Sequence, residues 1–125
     1  MTQSVRNTVA ALATLIVLQG IMLSALYAGV EPHPPAVTPI SAIGPFIGAS
    51  VAIALAAILV GPLSGRTGRG LSILAALLAL LSFGPQKYLD AQIALIWPAV
   101  VLGQIAVIVI VAQVFMSARV SHAAA

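Results

Sequence analysis

Long apolar runs, separated by short polar or proline-rich breaks, set the pattern of this chain. Four runs stand out, over about residues 8–30, 40–60, 71–88 and 91–117. A helix rises about 1.5 Å per residue, so about 20 residues cross the roughly 30 Å hydrocarbon core of a bilayer. Each run therefore reads as a membrane-spanning helix. The runs do not alternate polar with apolar residues, which excludes a transmembrane barrel. Open strands in lipid would leave backbone groups unpaired. The pattern predicts an all-α integral membrane protein, one domain of four transmembrane helices in an antiparallel bundle.

The breaks refine this picture. Arg6 precedes the first run, as in a signal peptide, but the run exceeds the 7–15 apolar residues of a signal h-region and reads as a span. Glu31 to Pro39 holds four prolines, which forbid helix and predict a stiff extended loop. Gly61 and Pro62 stop the second run, and Ser64 to Gly70 predicts a flexible basic turn. The third run is nearly pure Leu and Ala to Phe83, where Gly84 and Pro85 kink or end it. Beyond them it reaches the interface near Tyr88, with Lys87 snorkelling outward. Its Leu/Ala surface predicts the most peripheral helix of the bundle.

Composition agrees with a membrane location. The chain is 62% hydrophobic and 6% charged, whereas about a quarter of the residues are charged in an average soluble domain. A net charge of +3 from five basic and two acidic residues is too sparse for phosphate binding, so nucleic acid is not an expected partner. The absence of cysteine removes disulfides and thiolate chemistry. Arg6, Arg66, Arg69 and Arg119 fall on one side of four spans and only Lys87 on the other. The positive-inside bias predicts both termini in the cytoplasm. Tyr27, Tyr88 and Trp97 then mark the outer side, and the expected location is a bacterial inner membrane, cytoplasmic or intracytoplasmic.

No Lys, Arg, Asp, Glu or His falls inside the apolar body of a span, since Lys87 lies at the interfacial end of the third. Proton relays and ion paths need one, so a transporter working alone is disfavoured, as is haem ligation by a buried histidine. His33 and Glu31 supply too few donors for zinc. Glu31 and Asp90, the only acids, build no hydrolytic centre. Gly61 to Thr67 imitates a phosphate-binding loop but has the wrong glycine spacing, Arg66 in place of lysine, and no preceding strand. No catalytic residue, metal site or cofactor is expected.

The polar residues placed deep are Gln19 and Gln104, weak candidates for binding a quinone, pigment or similar ligand and more simply interhelical hydrogen-bonding groups. They reach similar depth and could meet if the first and fourth spans are neighbours. Gln113 lies nearer the inner interface, where water is expected to satisfy it. Small residues at four-residue spacing mark candidate packing surfaces: Gly20 and Ser24, Gly44 and Gly48, Ala99 and Gly103. Arg66 and Arg69 are candidates for lipid head-group contact and topology. Together these features favour a non-catalytic accessory subunit in a larger membrane complex of respiratory or photosynthetic type, with lipids and other membrane subunits as partners. A small oligomeric channel or carrier lined by Gln and Ser is the alternative, and a quinone- or lipid-handling enzyme ranks last.

Overall fold

The computed structural model describes residues 2–28, 40–83 and 93–124. Its elements are α1 (Gln3–Ala28), α2 (Ile40–Val60), α3 (Gly65–Phe83) and α4 (Ile93–Ala124). Three of them, α1, α2 and α4, are long and apolar enough to cross a membrane. The described part of α3 is not, because its first two turns carry Arg66, Arg69 and three glycines. Glu31, His33, Gly84, Pro85, Lys87, Tyr88 and Asp90 lie outside the described residues.

Helix α1 begins before its apolar run because Thr2 caps it. The Val5 amide donates to Thr2 Oγ1 at 3.2 Å, the usual bond from the third helical residue to an N-cap hydroxyl. The α2–α3 connection departs from expectation. The segment Ser64 to Gly70, expected as a flexible turn, is helical from Gly65 onward, so α3 starts well before Leu71. Gly61 and Gly65 have φ of 105° and 62°, a left-handed backbone that glycine adopts without strain. The turn closes through three backbone bonds: Gly61 N–H to Ala57 O at 3.1 Å, Ser64 N–H to Gly61 O at 3.0 Å, and Gly68 N–H to Ser64 O at 3.1 Å. Gly68 has no side chain to hold the helices apart, and a β-carbon there would collide with the Gly61 carbonyl. Bracketed this tightly, the basic stretch has no room to be a loop.

Helices α1–α2, α2–α3, α3–α4 and α4–α1 pack as neighbours, and α1 also touches α3. Among the described residues α2 and α4 do not touch, so α1 and α3 hold the short diagonal. The expectation that α3 would be the most peripheral helix is therefore wrong. Side-chain size explains the error. Ala75, Ala76 and Ala79 are buried, while Leu74, Leu77 and Leu81 point outward. Hydropathy barely separates Ala from Leu, but only the small residue lets backbones approach closely.

The same division runs through the bundle. Buried positions on α2 are Gly44, Ile47, Ser50, Ala54 and Ala57, three and four residues apart as one helix face requires. On α4 they are Val100, Gly103, Ala106, Val107, Ile110 and Val114. The main core joins Leu12 and Leu15 of α1 to the alanines of α2 and α3 and to Val107 and Ile110 of α4. A smaller cluster holds Leu18 and Val100, with Met22 and Ala99 packed against it.

Candidate functional site

The inward faces carry four buried polar side chains, Thr8, Gln19, Ser50 and Ser72. A polar group sealed from water must find a partner inside the protein, and each of these does. Thr8 Oγ1 donates to its own helix at Ser4 O, 2.8 Å away. Ser72 Oγ lies 2.8 Å from Pro62 O and 3.0 Å from Gly68 O, so one hydroxyl proton serves two carbonyls and ties α3 to the turn before it. Gln19 Nε2 donates to Ser50 Oγ at 2.8 Å across the α1–α2 interface.

Of the candidate ligand-binding glutamines, Gln19 is 1% exposed and its amide is directed at Ser50. The depth argument did not propose that partner. Ser50 could have been found from its place on the buried α2 face, three residues after Ile47 and four before Ala54. Gln104 is half-buried and also engaged. It lies nine residues from Gln113, half a turn round α4 at about 100° per residue. Gln113 lines a groove shared with α1.

The small-residue pairs separate. Gly44 is buried, and a β-carbon there would sit 2.5 Å from Tyr27 Oη, so the end of α1 lies over it. Gly48 is exposed with nothing within 4 Å of a β-carbon position, and Gly20 is similarly open though half-buried. Ser24 is exposed, Ala99 half-buried and Gly103 buried. Gly48 points away from Ile47 and Ser50 because it is set about 100° from Ile47 around the helix.

Two surface depressions hold further polar groups. One, of about 590 Å³, is lined by Thr2 and Ser4 of α1, Leu63 of the turn, Arg69 of α3, and Ser117 and Val120 of α4. Arg69 is half-buried there, whereas Arg6, Arg66 and Arg119 are exposed. The other is a groove of about 390 Å³ between α1 and α4, with Asn7, Thr14 and Gln113 among apolar side chains. Gln113 is half-buried, and its Oε1 has no hydrogen-bond partner within the protein. Among the described residues no three His, Cys, Asp or Glu side chains gather as a metal site would require.

These features define a helical membrane protein in which a buried Gln19–Ser50 hydrogen bond joins α1 to α2. No family model matches the chain, nor does any curated protein or solved structure.

Proposed function

We propose that this protein is a non-catalytic helical subunit that packs within a larger membrane complex, of the kind that carries out respiration or photosynthesis. The outward face of α2 carries this reading. Pro45, Gly48, Ala49 and Ala52 are all exposed, and Gly48 and Ala52 stand four residues apart on one side of the helix. Lipid tails gain nothing from so smooth a surface, whereas a second helix can approach it closely. The same small-residue logic packs α3 inside the bundle. An oligomeric channel fits less well, because Gln19, Ser50 and Ser72 are closed inside and bonded to one another or to backbone.

We place the subunit in a bacterial inner membrane with four antiparallel spans and both termini cytoplasmic. Residues 2–5 share a depression with residues 116–120, while Leu18 packs with Val100. Climbing α1 thus descends α4. The depression also includes Leu63, Gly65 and Arg69, which supports putting all four arginines at one end, the end expected to stay inside. The third crossing then needs residues beyond Phe83 to complete it.

Purification of the tagged protein from its native membrane, followed by mass spectrometry, tests the reading. A heterologous membrane protein should co-purify in fixed ratio, and Gly48→Leu or Ala52→Leu should release it while leaving the subunit inserted. A homo-oligomer with no other component would overturn the proposal and favour the channel.

A further inference from the structure

The depression beside the start of α3 sets one arginine apart from the other three. Arg69 is half-buried and lines it, whereas Arg6, Arg66 and Arg119 are exposed and do not line it. Arg69 stands two residues before Leu71, where the apolar run of α3 begins, a rise of about 3 Å that puts it at head-group level. The volume of about 590 Å³ falls within the range of small-ligand sites, about 300–1,000 Å³. Around Arg69 the walls combine the hydroxyl side chains of Thr2, Ser4 and Ser117 with the apolar ones of Val5, Leu63 and Val120.

Charge decides what such a site holds. The chain's only acidic residues, Glu31 and Asp90, come three residues after Ala28 and three before Ile93. Three residues reach at most about 11 Å, whereas about 36 Å of helix separates Ala28 from Ser4 and Ile93 from Ser117. No acidic side chain of the chain can therefore neutralise Arg69. Its guanidinium presents a planar fork of donors that matches a phosphate in two-point contact. Thr2 Oγ1 accepts the Val5 N–H, which leaves its hydroxyl proton for a further acceptor. A zwitterionic head group would bring an ammonium that meets Arg69 and no carboxylate. The apolar walls suit the glycerol and first acyl carbons of a lipid, which a small soluble anion lacks.

We propose that this depression binds one anionic phospholipid by its head group, with the phosphate on Arg69 and the head-group oxygens among Thr2, Ser4 and Ser117. Such a site differs from the diffuse attraction that any cluster of arginines exerts on anionic lipid. It rests on the membrane location alone and is independent of a protein partner at the α2 face. The test uses the full-length protein in detergent, with phosphatidylglycerol as probe and native mass spectrometry as readout. One phosphatidylglycerol should be retained per chain, and phosphatidylethanolamine should bind about ten-fold more weakly. Arg69→Gln should weaken retention about ten-fold through loss of charge-assisted hydrogen bonding, while Arg66→Gln should leave it within about two-fold. Ser117→Leu fills the depression from α4 with no change of charge and should weaken retention as well, which keeps the assignment readable if Arg69→Gln folds poorly. Glycerol phosphate at the same concentration should not displace the lipid. Equal losses in Arg69→Gln and Arg66→Gln, equal binding of the two lipids, unchanged binding in Ser117→Leu, or displacement by glycerol phosphate would each overturn the assignment.

Discussion

Gln19 of α1 and Ser50 of α2 meet at 2.8 Å where neither side chain is open to the surroundings. The bond fixes both the depth and the rotation of α1 against α2, since sliding or turning either helix by one residue would part the two groups. Polar contacts between membrane helices contribute about 0.6–2 kcal/mol. Ser50→Ala should therefore lower stability by about 1 kcal/mol, because the amide loses its acceptor. Gln19→Leu should cost less, since a lone serine can turn its hydroxyl to its own helix backbone. The double variant should be no worse than Ser50→Ala. Reversible unfolding in mixed micelles gives all three values, and strict additivity would show that the contact carries no coupling energy.

Two glycines a helical half-turn apart should respond in opposite ways. At Gly68 a β-carbon would strike the Gly61 carbonyl, whereas at Gly70 nothing lies within 4 Å. Gly68→Ala should destabilise the hairpin by about 1–3 kcal/mol, as overpacking does. Gly70→Ala should be neutral or stabilising by up to about 1 kcal/mol through helix propensity. Thermal unfolding of the two variants side by side checks the contrast.

Enlarging the inward face of α3 should do more harm than trimming its outward face. Ala79 is buried at 1% exposure and Leu77 is 55% exposed. Ala79→Leu should cost about 1–3 kcal/mol or force α3 away from α1, while Leu77→Ala should change stability by under about 0.5 kcal/mol. Cysteine cross-linking between α1 and α3 would report the separation directly.

Sidedness is open to a reporter assay. An enzyme fusion active only outside the cytoplasm should be silent after Ala125 and active near Pro35. The reverse pattern would invert the orientation and move the arginine-bearing end to the outside.

The sequence made the helices legible because apolar length alone determines which segments can cross lipid. It made their faces hard to read because in this chain both faces are apolar. The usual contrast between wet and dry sides is missing, and α3, with leucine outward and alanine inward, was misplaced for that reason. Size was the informative signal: Ala75, Ala76 and Ala79 follow the three-and-four spacing of a buried face as plainly as Leu12 and Leu15 do. The early start of α3 was hidden by Gly65, Gly68 and Gly70, which read as flexibility until the close approach at Gly61 gave one of them a packing role.

The buried alanines where α2 meets α3 also bear on how these helices come together after insertion. Alanine and glycine have no rotamers to freeze, whereas a buried leucine loses about 0.5–1 kcal/mol of conformational freedom. Ala54, Ala57, Ala75, Ala76 and Ala79 can thus be brought into contact with almost no loss of side-chain entropy. The larger side chains at Leu55, Leu59, Leu77 and Leu81 stay on the outside, where fluid acyl chains let them keep sampling their rotamers. Assembly of α2 with α3 is accordingly a docking of nearly rigid surfaces, opposed mainly by the lost mobility of the helices themselves.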